Sequence, residues 1–155
     1  MTSIARDVMT NTVIMIAAGE SLAAAQNMMR EKNIRHLPVV DDKNKIVGIL
    51  SDRDFSHLPN PEQVKVDALM SWPVSWMSQE TPLATAVKTM VDKKISSILI
   101  TDEKSELVGI VTSEDLLKLL GKILETSASQ KKSLSTLFDI ESLDEIAYKI
   151  SQTGI

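Results

Sequence analysis

The chain has 155 residues, a formal net charge of −4, charged residues at 25% and no cysteine. This length can bury a core without cross-links, and the missing cysteines exclude disulfides, thiolate metal sites and cysteine nucleophiles while suiting a reducing, cytoplasmic setting. The acidic balance argues against nucleic acid as a partner, and without a basic-then-apolar leader or a run of about eighteen apolar residues a soluble, unprocessed chain with no membrane partner is expected.

The opening MTSIARDVMTNTVIMI leads through an apolar-rich segment, Val13 to Ile16, towards Leu22, Ala25 and Met29, whose spacing predicts a helix near 22–32. LPVVDDKNKIVGILS then sets two β-branched-rich runs around a polar turn, a hairpin signal. SHLPNPEQVK, with two prolines and an asparagine, reads as a linker. The same grammar returns beyond it. Val74 to Met77 form a short apolar-rich segment, and Leu83, Ala86, Val87 and Met90 predict a helix near 82–93 with Pro82 suited to its first position. ILITDEKSELVGIVT repeats the hairpin signal.

DLLKLLGKIL prolongs a last helix, in which Leu116, Leu117, Leu119, Leu120, Ile123 and Leu124 make a wide apolar face. Such a face needs cover, from the opposing unit or a second subunit, and this is the local argument for a homodimer. ETSASQKKS reads as a flexible polar stretch, and SLDE at Ser142 to Glu145 caps a short helix from Leu143 to Gln152 closed by Gly154.

A shift of 61 positions lays the first half on the second without a gap. It aligns Met9 with Met70, Leu22 with Leu83, Met29 with Met90, Gly48 with Gly109, Ser51 with Thr112 and Asp54 with Asp115. Two copies of one unit that bury their apolar faces on each other follow from such a repeat. The expected organisation is a first unit at 1–58, a linker at 59–66, a second unit at 67–121 and a helical extension at 122–155.

DVMT, the helix SLAAAQNMMREKNI and RHLPVVDDKNKIVGILSDRD together resemble a CBS domain (cystathionine-β-synthase domain), and the stretch from DALMSWPVSWMS to VGIVTSEDL resembles its partner. The resemblance covers about residues 5 to 120. It implies an α/β (α+β) fold of two β-α-β-β-α units packed as a pseudo-twofold pair, a Bateman module, which is regulatory, commonly dimeric and often binds adenosine-containing ligands between its units.

Ser51 and Thr112 fall where a strand ends and a helix should begin, a place where open backbone N–H groups and the hydroxyl can take a phosphate. Three residues on, Asp54 and Asp115 offer two acceptor oxygens to a ribose hydroxyl pair. The same S/T-x-x-D pattern is also a helix cap, and both readings stand. Gly48 and Gly109, lacking side chains, permit close approach of backbone or ligand.

The copies differ around this motif. By the resemblance, the loop holding Arg35 and His36 in the first copy and Ser96 and Ser97 in the second faces the cleft, where the basic pair can meet phosphate oxygens. Arg53 stands where the second copy has Glu114, so cations gather in the first copy and the two sites should be unequal. For each arginine a surface salt bridge is the competing explanation. Val13, Ile34 and Ile49, with Val74, Ile95 and Ile110, are the family-position candidates for an apolar slot around the base, and equally candidates for core. Trp72 and Trp76 can stack on a purine or anchor an interface.

Parts for catalysis are absent. His36 and His57 are the only histidines, and no phosphate-loop, metal-binding or nucleophile-elbow motif is found. The expected function is a non-catalytic sensor of AMP, ADP or ATP that signals to an effector protein. A ligand-free dimeric scaffold and a sensor of S-adenosylmethionine or NAD are the alternatives.

Overall fold

The computed structural model describes residues 3–55 and 58–129, with side chains to residue 126. The chain divides into two compact units, Met1–Asp115 and Leu116–Ile155. Both copies of the repeat up to their aspartates lie in the first.

Helix α1 spans Leu22–Lys32, starting at Ser21, whose side chain accepts a bond from the Ala24 N–H, and buries Leu22, Ala25 and Met29 on one face. It stops at Asn33 in the left-handed conformation (φ 52°), which asparagine tolerates. Helix α2, Leu83–Lys93, buries the matching Leu83, Ala86 and Met90 and ends at Lys94 (φ 55°). Pro82 is the residue before this helix, not its first, with an extended ψ of 135°.

Two three-stranded sheets carry the helices, β1-β2-β3 and β4-β5-β6. The strands are β1 Ile16–Ala17, β2 His36–Val40, β3 Ile46–Ser51, β4 Trp76–Ser78, β5 Ser97–Thr101 and β6 Leu107–Thr112. In each sheet the first strand runs parallel to the second, and the second pairs antiparallel with the third. The first strands begin later than the apolar patterns at 13–16 and 74–77 predict. The shorter of them has a visible cause. Leu99 N–H donates to Ser75 O at 3.0 Å, extending the bonding beside β4, whereas the matching residue of β2 is Pro38, which has no N–H to give. Each hairpin turn is organised by its aspartate: Asp41 Oδ1 accepts from Lys43 and Lys45 N–H, and Asp102 Oδ1 from Lys104 and Glu106 N–H, all at 2.9 Å.

The copies close differently. After β6 the chain enters helix α3, Ser113–Ser129, so residues 125–129 are helical where a flexible stretch was expected. After β3 there is only a three-residue 3₁₀ turn, Asp52–Asp54, in place of the expected helix. Pro59 and Pro61 follow within a few residues, and a helix continued through them would lose backbone bonds and clash with proline rings. The predicted helix at Leu143 to Gln152 lies outside the described residues.

Each copy begins on the other. Ile4 pairs with Pro82 and Thr10 with Ile110, while at the matching positions Lys65 pairs with Ser21 and Ser71 with Ile49. The linker thereby serves helix α1: Leu22 N–H donates to Val64 O at 2.9 Å and Ala23 N–H to Pro61 O at 3.2 Å, satisfying orphan donors of its first turn. Val66 is completely buried in a cluster with Ile16, Leu22, Ala25, Met29, Leu37, Val39, Leu50 and Phe55 of the first copy. Gly48 and Gly109 are explained by the same exchange. A Cβ on Gly48 would stand 2.5 Å from Met70 Sδ, and one on Gly109 2.6 Å from Met9 Sδ. The close approach that both glycines permit is therefore to a methionine of the other copy.

Candidate functional site

Strand β3 ends at Ser51 with a tight local cap. Asp54 Oδ2 accepts from Ser51 N–H at 2.6 Å, and Ser51 Oγ accepts from Arg53 N–H at 3.2 Å. Asp52 N–H donates to Arg35 O at 3.0 Å. The backbone donors expected to greet a phosphate are thus already used inside the protein, so an anion here must be met by side chains. Asp54 keeps its second oxygen as an acceptor, and the Ser51 hydroxyl keeps its hydrogen to donate. In the second copy Asp115 Oδ2 accepts from both Thr112 N–H (2.8 Å) and Thr112 Oγ1–H (2.7 Å), while Asp115 N–H donates to Thr112 Oγ1 at 3.3 Å. That hydroxyl is closed on its own aspartate, so the two motifs differ in what they can offer.

A cleft of about 220 Å³ joins the Ser51 motif to the second copy. The first copy lines it with His36, Ile49, Ser51, Arg53 and Asp54. The opposite wall combines the crossed-over segment Ser71, Pro73, Val74 and Ser75 with Lys94, Ile95, Ser96 and Ser97 around the end of α2 and start of β5. Nine of the residues singled out in the sequence for binding therefore meet in one place: His36, Ile49, Ser51, Arg53, Asp54, Val74, Ile95, Ser96 and Ser97.

The remaining six do not line this cleft, among them Ile110, which is buried within β6. Thr112 and Asp115 form the second motif. Arg35 pairs with Asp52 at 3.7 Å with its side chain 68% exposed, the surface pairing weighed against a ligand role. Ile34 packs against the core of the first copy, and Val13 is half-buried ahead of β1. Sequence reasoning missed Lys94, Ser71, Pro73 and Ser75. Lys94 corrects the expectation that cations gather in the first copy, because it brings a charge from the second to the wall facing Arg53. Its register with Asn33 was the available signal, since both positions end a helix in the left-handed conformation.

His36 joins the copies directly, its Nε2 lying 2.8 Å from Ser96 Oγ. Burial holds its pKa below the usual 6.5; nearby Asp52 opposes this by favouring the charged ring, with smaller opposed influences from Arg53, Asp54 and Arg35. Trp72 sits between two lining residues with 77% of its surface exposed, and Trp76 begins β4.

Residues 5–59 and 66–122 each match the family model of the CBS domain. Among curated proteins the chain is 37% identical over 120 residues to a homoserine O-acetyltransferase of Methanococcoides burtonii, covering 77% of this chain and 24% of that protein. The chain thus spans about a quarter of that relative's length. A CBS domain-containing protein of Dictyostelium discoideum is 28% identical over 139 residues, which cover 81% of this chain and 96% of its length. Among solved structures, the CBS domain pair of protein MJ0100, in complex with 5′-methylthioadenosine and S-adenosyl-L-methionine, superposes with a TM-score of 0.71 at 27% identity, covering 79% of this chain and 98% of that one. A putative acetoin utilization protein of Vibrio cholerae gives a TM-score of 0.68 at 25% identity, covering 83% and 98%.

Proposed function

The chain belongs to the CBS domain family as a domain pair, a regulatory module, and from that premise we propose that it is non-catalytic and binds an adenine nucleotide (AMP, ADP or ATP) between its copies, signalling occupancy to an effector protein. One observation carries the reading: the Ser51 and Asp54 side chains of one copy and the Val74, Ile95 and Lys94 side chains of the other line a single cleft. The free oxygen of Asp54 suits a ribose hydroxyl. Ile49, Pro73, Val74 and Ile95 supply apolar surface for a base, and His36, Arg53 and Lys94 supply donors for phosphate. Ordering this cleft favours one arrangement of the pair, and a partner reads that shift in population.

A second reading, an adenosyl ligand without phosphate, is favoured by the thioadenosine and S-adenosylmethionine held by the MJ0100 pair. The ligand-free scaffold draws support from the closed caps at Ser51 and Thr112. Homodimerisation belongs to the proposal, through the exposed row Leu117, Leu120 and Ile123 on α3, as does a cytoplasmic location. Among the described residues no helix is long and apolar enough to cross a membrane.

Thermal melting against AMP, ADP, ATP, S-adenosylmethionine and 5′-methylthioadenosine tests these readings. A ligand at a hundred times its Kd stabilises by about 2.7 kcal/mol. A shift with the nucleotides supports the proposal, a shift with the phosphate-free compounds alone supports the second reading, and no shift with any compound supports the scaffold.

A further inference from the structure

We propose that Lys94, acting with Arg53 from the facing wall, makes this cleft select a phosphate-bearing nucleoside over the same nucleoside without phosphate; the inference rests on reading the cleft as an adenosine-ligand site. Four ionisable side chains line the cleft, His36, Arg53, Asp54 and Lys94. The one carboxylate has an oxygen committed to the Ser51 N–H. Ion pairs join Arg6 with Glu80, Arg35 with Asp52 and Lys88 with Asp92, and among the described residues neither Arg53 nor Lys94 has a carboxylate within ion-pair distance. Two unpaired cations from opposite copies therefore face a space in which the opposing charge is a single aspartate. A ligand anion placed between them restores the balance and gains charge-assisted bonds from both walls.

The backbone of Lys94 adds an independent argument. It is left-handed, φ 55° and ψ 39°, at the end of α2, where a lysine is disfavoured by contact between its Cβ and carbonyl. The first copy solves the identical local problem with Asn33 at φ 52° and ψ 48°, a residue suited to that conformation. The negative end of the helix dipole favours a cation at this place, but Lys93 already supplies one in the last turn, and the cleft wall gives the Lys94 charge a further use. The basic set is also not a general property of the repeat. The positions matching Lys94, Arg53 and His36 carry Asn33, Glu114 and Ser97.

The experiment is isothermal titration of the full chain with AMP and with adenosine at low salt, for the native protein and for Lys94→Asn, Lys94→Arg and Arg53→Gln. The native protein binds AMP at least about tenfold more tightly than adenosine, as expected when a charged hydrogen bond is gained. Lys94→Asn and Arg53→Gln each lower that ratio by about tenfold and leave adenosine affinity within about twofold. Lys94→Arg retains it, and added salt reduces it in the native protein. Lys94→Asn introduces the residue already used at the matching helix end, so it melts at or above the native temperature. Adenosine binding with an AMP-to-adenosine ratio near one, or a ratio unmoved by Lys94→Asn, overturns this inference alone. Binding of neither compound overturns it together with the adenosine-site reading.

Discussion

His36 of the first copy and Ser96 of the second share a hydrogen bond of 2.8 Å across the cleft, between a ring held largely neutral by burial and a hydroxyl at the mouth of β5. The direction of the pKa shift fixes a pH dependence. Because the folded pKa lies below the unfolded value of 6.5, the unfolded chain takes up a proton first as pH falls. The contribution of His36 to stability is full above about 6.5 and is lost on acidification through the folded pKa. The melting temperature should drop as pH falls below about 6.5, and His36→Gln should flatten that part of the profile. An unchanged slope in the variant would assign the acid sensitivity to other groups.

Gly48→Ala and Gly109→Ala should destabilise by about 1–3 kcal/mol each, because each new methyl meets a methionine side chain from the other copy. The thioether of Met70 can swing aside, but a Cβ on Gly109 also stands 3.2 Å from Thr10 O, in the backbone bridge to Ile110. Gly109→Ala should therefore be the more harmful. Combining Gly48→Ala with Met70→Ala should cost less than the two changes summed, by about 0.5–3 kcal/mol, in a denaturation cycle. Strict additivity would mean that the two residues do not compete for space.

Asp54→Ala removes both an acceptor for the Ser51 N–H and the oxygen assigned to ribose. It should lower stability by about 0.5–2 kcal/mol and abolish the nucleotide-induced shift in melting. Asp54→Asn separates these roles, since its amide oxygen can keep the cap while the second acceptor is gone. Near-native stability with weakened nucleotide binding is expected, measured by melting and titration together. Full binding by Asp54→Asn would remove the ribose from this residue.

Leu117 is 66% exposed and shares one side of α3 with the exposed Leu120 and Ile123. If a second copy covers this row, Leu117→Lys combined with Leu120→Lys should convert a dimer to a monomer in light scattering without lowering helix content. A native protein that scatters as a monomer would end that proposal.

Family resemblance and the difference between the copies supplied seven of the cleft residues, while the sequence by itself determined the doubling, the extent of α1, the two hairpins and the Ser51 and Asp54 pair. These rest on local chemistry repeated in register: apolar spacing on the helices, aspartate-led turns, and a hydroxyl and aspartate three residues apart. Tertiary structure alone decided that each copy starts on the other, as Thr10 does on Ile110 and Ser71 on Ile49. Those contacts are backbone bonds between segments far apart in the chain, and a backbone donor or acceptor has no signature in its side chain. The same exchange decided that Met70 fills the space at Gly48 and that Lys94 and Arg53 line one cleft. A pattern of residue types records which face of an element is apolar, but which distant element covers that face is settled only when the chain packs.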